Sequence, residues 1–157
     1  MSEREPPTSA CEWPGGATDP RRPPESRVLR FRPEYAWEGV PAEAYKDPAA
    51  HWRDVARHTL VGGAGATCPF HVRYFEIAPG GYSSHEVHAH EHVVIPIRGR
   101  GVVRIGDREV AVGFGDVVYV APNDPHQFQN PTDEPFGFLC IVPAERDPPR
   151  PWPPERG

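Results

Sequence analysis

Residues 83–94 read SSHEVHAHEHVV, and this stretch holds four of the eight histidines of the 157-residue chain. Side chains on a strand alternate between its two faces, so residues 86, 88, 90 and 92 would share one face if the chain stayed extended. At about 3.3 Å per residue, residues 86 and 92 would then lie about 20 Å apart. The ligands of one metal ion all lie within about 2.0 to 2.3 Å of it. The chain must therefore turn here to form a single metal site.

A turn at residues 89–91 would end one strand at His88 and begin the next at His92. Glu86 and His88 would share a face of the first strand, and His92 would return beside them. His126 follows the turn APNDP at the start of another strand, and we expect it to be the fourth ligand. Three imidazoles and one carboxylate would leave one or two positions of the ion open to water, substrate or dioxygen. The alternative is a nonspecific histidine patch on the surface.

From residue 70 onward, short runs rich in β-branched and aromatic residues are separated by Gly, Pro, Asp and Asn. This spacing predicts an antiparallel sandwich or barrel. Gly106 and Asp107 are typical of a tight hairpin turn, and the Pro-Gly-Gly sequence at 79–81 predicts a break. Pro96 lies inside a run, which predicts a bulge or an unpaired edge. The predicted strands cover residues 70–77, 92–97, 102–105, 109–112, 117–121, 126–130 and 136–142.

Residues 47–61 combine an N-cap aspartate, a proline at the next position and apolar residues at helical spacing. This pattern predicts a short helix, with His51 and His58 on its surface. Residues 30–46 carry four aromatic side chains. They would cover the barrel mouth, exchange strands in a dimer or pack on the outer sheet, and we favour the last of these.

Prolines, 22 in the chain, are concentrated at its two ends. Residues 1–27 and 143–157 are rich in Pro, Gly and charge, a composition that cannot offset its ordering entropy by burial. We expect these ends to be mobile or draped over the surface. The predicted division of the chain is a flexible segment at 1–27, an extension that packs on the barrel at 28–66, a metal-binding domain at 67–145 and a Pro-rich tail at 146–157.

The net charge of −5 is mild, and both signs are interspersed along the chain. Nothing resembles the basic stripe of a nucleic-acid-binding protein, so no nucleic-acid partner is expected. No apolar run approaches the ~20 residues of a membrane span, and the start MSEREPP lacks the apolar stretch of a signal peptide. Three cysteines without a CxxC pair indicate neither a disulfide framework nor a zinc ribbon. We therefore expect a cytoplasmic protein without a membrane partner.

Two separate motifs resemble those of the cupin superfamily. The first, G-x5-H-x-H-x3-E-x6-G, is matched in spacing by Gly80, residues 86, 88 and 92, and Gly99. The second, G-x5-P-x-G-x2-H-x3-N, is matched by Gly115, His126 and Asn130, with the proline one place late at Pro122. The glutamate and one histidine of the first motif have exchanged places, so that Glu86 precedes His88 and His92 takes the usual glutamate position. The chain is also similar to small single-domain bacterial cupins with four histidines, which bind manganese or another divalent ion.

The resemblance implies an all-β fold, the double-stranded β-helix or jelly roll, here with irregular Pro-rich extensions, commonly as a homodimer. It implies one divalent transition metal ion per chain, Fe, Mn, Ni or Cu, inside the barrel. Its ligands would be Glu86, His88, His92 and His126. The residues expected near the metal are Arg73, Phe128, Phe138 and Cys140. Two of them have equally good structural interpretations: Cys140 as a small buried hydrophobe and Arg73 as an exposed strand cation.

The leading functional hypothesis is a metal-dependent oxidoreductase, a dioxygenase acting on a small substrate that chelates through adjacent oxygens. Three neutral imidazoles and one carboxylate leave about one positive charge on a divalent ion, which favours an anionic substrate. Glu86, Arg73 and His90 are the candidate catalytic residues, with Arg73 as an anion clamp and Glu86 or His90 moving a proton. The alternatives are an isomerase or decarboxylase that works without oxygen and a non-enzymatic module that binds a small ligand.

Overall fold

The computed structural model describes residues 25–47, 50–63 and 67–154. Within these ranges every regular element is a β-strand and every strand pairing is antiparallel, which confirms the all-β prediction. No helix in these ranges is long and apolar enough to cross a membrane. The strands are β1 Phe31–Arg32, β2 Ala36–Trp37, β3 Glu43–Ala44, β4 Arg53–Val61, β5 Phe70–Tyr82, β6 Glu86–Val87, β7 His92–Arg98, β8 Arg100–Ile105, β9 Arg108–Gly113, β10 Val118–Val120, β11 His126–Gln129, β12 Phe136–Pro143 and β13 Arg150–Pro151.

Strand β5 organises the main sheet. It pairs with β4 on one side and with β12 on the other, and β12 continues to β7 and then β10. Strand β11 pairs with β8 along its length and meets β6 where His126 lies opposite Glu86. The sheet thereby brings the starts of β7 and β11 and the end of β6 to one region. These are the places where the clustered histidines begin or end a strand.

The seven strands predicted after residue 70 are confirmed as β5 and β7 to β12. The predicted break at residues 79–81 is wrong, because β5 runs through it to Tyr82. Gly80 adopts a φ of 77°, which a glycine takes without strain, and its amide donates to the Asn130 carbonyl at 2.9 Å. The bulge predicted at Pro96 is confirmed, since the register of β7 against β12 shifts there. The Gly106–Asp107 hairpin between β8 and β9 is also confirmed.

The helix predicted at residues 47–61 is wrong. Residues 53–61 form β4, which pairs with β5 along most of its length. Its register shifts twice, between Arg53 and Val55 and between Thr59 and Val61. Each shift breaks the simple alternation of a strand, so that the two buried residues, Val55 and Leu60, lie an odd number of positions apart on β4. Hydrogen bonding along a long neighbouring strand outweighed the local helical signal.

The two faces of β5 bury different groups. Phe75 faces the interior, where its ring meets Phe138 and Tyr45 at centroid distances of 5.7 Å. Tyr74 faces outward and is covered by Trp37 at 5.0 Å and by Tyr35 at 6.2 Å. The hairpin of β1 and β2 therefore packs on the outer sheet, the placement that the sequence favoured for residues 30–46. The continuing chain then enters the interior at Tyr45, which is buried.

The end of the chain lies across the strand that precedes the histidines. Strand β13 pairs with β6, and the Trp152 amide donates to the His85 carbonyl at 3.0 Å. This part of the Pro-rich tail is thus draped over the barrel, as its composition suggested. Residues 1–24 and 155–157 lie outside the described residues, and the domain boundaries remain predictions.

Candidate metal centre

Three histidines from three places in the sheet converge. His88 follows β6, His92 begins β7 and His126 begins β11, and the turn predicted at residues 89–91 is confirmed. The three side chains are buried, and one nitrogen from each lies within 4.8 Å of the others. Burial of three imidazoles around one point excludes a surface patch as the explanation of the cluster. These three residues can hold a metal ion.

Hydrogen bonds orient two of the rings for ligation. His88 Nδ1 lies 2.7 Å from the His90 carbonyl and His126 Nδ1 lies 2.9 Å from the Asp124 carbonyl. A carbonyl only accepts, so each Nδ1 carries the proton and each Nε2 keeps its lone pair for a metal. His92 Nε2 and His126 Nε2 are 3.2 Å apart. Two ligands with bonds of about 2.1 Å to one ion have this kind of separation. The donor set therefore fits a divalent transition metal.

The environment keeps the three imidazoles neutral. Burial, followed by the neighbouring His126, lowers the pKa of His88 to about 4 and that of His92 to about 2. Burial also lowers the pKa of His126. A buried charge without compensation is unfavourable, so the unprotonated form that binds metals is present at neutral pH.

Glu86, one of the four ligands predicted from the sequence, lines the same cavity but lies outside the group of three converging histidines. Its Oε2 accepts hydrogen bonds from the Lys46 ammonium and, at 2.5 Å, from the Ser84 hydroxyl. Burial alone would raise the pKa of Glu86, but Lys46 and Ser84 together hold it below its usual value. The carboxylate is thus ionised and paired, and its role as a ligand remains a prediction.

His90 lies against the centre without joining it. Its ring stacks on His88 with centroids 3.7 Å apart and an angle of 4° between the planes. On the other side, Asp147 accepts hydrogen bonds from the amides of Ala89 and His90 and from His90 Nδ1, at 2.7 to 3.0 Å. The C-terminal tail therefore fixes the turn that carries His88. These contacts favour a supporting role for His90, and the proton transfer assigned to it from the sequence remains a prediction.

A cavity of about 240 Å³ opens beside the histidines. The other residues predicted near the metal all line it, namely Arg73, Phe128, Phe138 and Cys140. His85 does not line it. We call the three histidines the histidine side of the cavity and Arg57, Arg73 and Arg146 its basic side. Which of these three arginines have a carboxylate partner determines what the cavity can bind.

Several residues that contact the site were missed from the sequence, including Arg57 of the basic side. Tyr45 and Lys46 come from the N-terminal extension, and Arg146 and Asp147 come from the tail. One signal existed: Lys46 is the only lysine in a chain whose other cations are all arginines. The two tail residues carry no signal, because their positions depend on how a Pro-rich segment crosses the barrel.

An antiparallel β-barrel with a buried three-histidine site is the architecture of a cupin. The family model described as the cupin domain matches residues 73–142, and the chain belongs to this family. The 1-methylthio-D-xylulose 5-phosphate methylsulfurylase of Rhodospirillum rubrum is 44% identical over 121 residues, which cover 76% of each protein.

Solved structures agree with this assignment. A cupin-2 domain protein of Rhodospirillum rubrum superposes with a TM-score of 0.69 at 41% identity, covering 85% of this chain and 84% of that one. A cupin 2 conserved barrel domain protein from Rhodopseudomonas palustris gives a TM-score of 0.73 at 36% identity, covering 80% and 86%. The all-β cupin fold predicted from the sequence is confirmed.

Proposed function

We propose that this chain is a metal-dependent enzyme that moves the methylsulfanyl group of a 1-methylthio ketose 5-phosphate to a thiol. The name of the Rhodospirillum rubrum relative supports this substrate class. The observation that carries the proposal is a buried thiol beside the histidines. Cys140 Sγ lies 3.4 Å from His92 Nδ1 and 3.5 Å from Arg73 Nη2, and Cys140 lines the cavity.

The surroundings of Cys140 suit a sulfur nucleophile. Burial raises the pKa of its thiol, and the Arg73 guanidinium opposes that shift. If His92 uses Nε2 as a metal ligand, its Nδ1 carries a proton and donates toward the same sulfur. Two donors aimed at one sulfur favour the thiolate, which is the reactive form. A structural cysteine in an apolar core would lack both donors.

The proposed reaction balances without an oxidant. The Cys140 thiolate attacks the sulfur of the substrate, a new S–S bond forms, and the bond between carbon 1 and sulfur breaks with its electron pair left on carbon 1. Carbon 1 then takes a proton and becomes a methyl group, so carbon is reduced while two sulfurs are oxidised to a disulfide. A second, soluble thiol displaces the methylsulfanyl group by thiol exchange and restores Cys140.

Carbon 1 lies next to a ketone, which can accept the electron pair. His88, His92 and His126 would hold a divalent metal ion, which when bound would supply Lewis-acid chemistry to stabilise the negative charge that develops on the ketone. Glu86 and Lys46 form an ion pair in the same cavity, and we assign to this pair the proton that carbon 1 receives. Phe128 and Phe138 give the cavity an apolar wall suited to a methylthio group.

The test is turnover of 1-methylthio-D-xylulose 5-phosphate by metal-loaded protein under argon with a small thiol. We expect a 1-deoxy ketose phosphate and a methyl disulfide of the thiol, both detected by mass spectrometry. Without the soluble thiol, intact-protein mass spectrometry should show one methylsulfanyl group in place of one hydrogen, located on Cys140. Cys140→Ser should lose both signals, whereas Cys68→Ser, at a half-buried cysteine outside the cavity, should keep them.

Loss of the methylthio group only in the presence of dioxygen would contradict this function and favour the second candidate. That candidate is the dioxygenase expected from the sequence, acting on a chelating substrate at the same three-histidine site. It is favoured by three neutral nitrogen ligands, which leave several metal positions for substrate and dioxygen. Oxygen consumption with diketone, flavonol, catechol or thiol substrates tests it. The metal identity, the homodimer, the cytoplasmic location and the isomerase or decarboxylase alternative remain predictions.

A further inference from the structure

The basic side of the cavity carries more positive charge than the proposed activation of Cys140 by Arg73 needs. Arg57, Arg73 and Arg146 all line the cavity, although the whole chain carries a net charge of −5. Arg57 is compensated, because its Nη2 lies 2.9 Å from Glu43 Oε2. Within the described ranges no carboxylate pairs with Arg73 or Arg146. Among the residues that the structure describes, two of the three guanidinium groups therefore lack a carboxylate counterion.

Arg73 is held in place without being neutralised. It lies opposite Cys140 in the register of β5 and β12, and its guanidinium lies over the Phe75 ring at 5.0 Å. Its Nη2 meets the Cys140 sulfur, while its Nε is buried and donates to no described acceptor. A fixed cation with spare donors beside a cavity is a binding group for an anion.

Arg146 approaches the same cavity from the tail. Its Nη1 donates to the carbonyls of Pro143 at 2.8 Å and Ala144 at 3.3 Å, which anchor the side chain but leave its charge uncompensated. Burial and the charge of Arg73 lower the pKa of Arg146. The two guanidinium groups thus repel each other, and an anion bound between them would relieve the repulsion.

We propose that Arg73 and Arg146 bind a phosphomonoester dianion. Two guanidinium groups match the two charges of a phosphomonoester, and their planar donors suit its oxygens. This inference rests on the proposed function for the identity of the substrate, in which the group is the 5-phosphate. The binding site itself is testable without any turnover.

Isothermal titration calorimetry of the metal-loaded protein can compare D-xylulose 5-phosphate, D-xylulose, inorganic phosphate and malonate at matched ionic strength. We expect D-xylulose 5-phosphate to bind about 100-fold more tightly than D-xylulose, the effect of two charged hydrogen-bonding groups. Inorganic phosphate should bind weakly and compete with the sugar phosphate. Malonate, a dianion of different shape, should bind less tightly than phosphate. Equal binding of phosphate and malonate would overturn the assignment to a phosphomonoester.

Substitutions of the arginines, singly and in combination, test which residues produce the preference for the phosphorylated sugar. Arg146→Gln, at an exposed position where a folding defect is least expected, should reduce the preference for the phosphorylated sugar about tenfold, and Arg73→Gln combined with it should remove most of the rest. Arg100→Gln is the matched control, because Arg100 is exposed on β8 and does not line the cavity. The inference is overturned if Arg146→Gln and the double variant keep the wild-type preference.

The two proposals fail in different ways. If the preference depends on Arg73 and Arg146 but no sulfur transfer occurs, the phosphate site stands and the proposed reaction is wrong. If sulfur transfer occurs and the arginine variants lower kcat/KM equally for 1-methylthio-D-xylulose with and without its phosphate, the reaction stands and the phosphate site is wrong.

Discussion

The histidine side and the basic side of the cavity are both built from side chains that can carry positive charge, yet they end in opposite states. Burial lowers the pKa of His88 and His92 to about 4 and about 2, so these rings are neutral. Arginines keep their charge under all ordinary conditions, so the basic side stays cationic although Arg73 is partly buried. One wall of the cavity therefore suits a metal ion and the other an anion.

This difference shows that the effect of burial on the charge of a side chain depends on the residue type. An imidazole gives up its proton when it loses water, and the resulting lone pair is a metal ligand. A guanidinium cannot do so, and an unpaired one favours a counterion instead. The cavity can thus bind the two ends of one polar substrate by different interactions.

Removal of one converging histidine should abolish the histidine side. We expect His126→Ala to weaken binding of manganese or iron more than about 100-fold, because a ligand matters more than a supporting residue, for which losses of 10- to 100-fold are usual. Metal content after dialysis, measured by elemental analysis, checks this. His51→Ala, at an exposed histidine, is the control and should retain wild-type metal content. Full occupancy in His126→Ala would contradict the ligand assignment.

Loss of Asp147 should loosen the histidine side without removing a ligand. Asp147 holds the turn at residues 89–91 through two amides and the His90 ring. We expect Asp147→Ala to weaken metal binding about tenfold, the lower end of the range for supporting residues. Asp147→Asn, which keeps one acceptor oxygen, should recover part of the affinity in a competition titration with a chelator. Unchanged affinity in Asp147→Ala would show that the tail does not fix the turn.

A lower pH should reduce the free energy of unfolding of the metal-free protein through the histidine side, whereas the arginines of the basic side keep their charge. His88 and His92 have lowered pKa values in the folded, metal-free protein and about 6.5 when unfolded, so below pH 6.5 the unfolded chain binds more protons. Each histidine that stays neutral in the folded state should then lower the free energy of unfolding by about 1.4 kcal/mol per pH unit as pH falls from 6.5 toward 4.

Urea unfolding of metal-free protein between pH 7.5 and 4.5 measures this dependence. Other groups also titrate in that range, so the informative quantity is the difference between the wild type and His92→Phe. The variant should show a slope below pH 6.5 that is smaller by the contribution of one histidine. Identical slopes would mean that His92 is protonated in the folded state and that its burial is less complete than described.

Replacement of Glu86 should change metal binding least, and the result tests whether Glu86 is a metal ligand. Because its carboxylate is held by Lys46 and Ser84 and lies outside the three converging histidines, we expect Glu86→Gln to change metal affinity by less than about threefold, below the loss of about 10- to 100-fold that is usual for supporting residues. Turnover should fall more than metal content if the Lys46 pair supplies the proton. A loss of metal comparable with that of His126→Ala would instead establish Glu86 as a ligand, as the sequence predicted.

Most of the barrel could be predicted from the sequence because its strands are short and bounded by strong turn residues. Gly106 and Asp107 define a hairpin, and Pro96 produced a bulge as its missing amide proton requires. The prediction of a helix was wrong at residues 53–61, because two bulges in β4 disrupt the alternation of buried and exposed residues by which a strand is recognised. Bulges depend on the partner strand, so local spacing could not reveal them.

The three residues of the histidine side could be predicted from local sequence alone. Spacing within residues 86–92 forced a turn, and a second motif at His126 supplied a third nitrogen, since bond lengths admit few arrangements. The residues that surround these three histidines depend on the tertiary structure. Lys46 and Arg146 reach the cavity from segments far from the motifs, one before β4 and one after β12. Charge compensation acts through space rather than along the chain, and for that reason the basic side and the partner of Glu86 could not be predicted from the sequence.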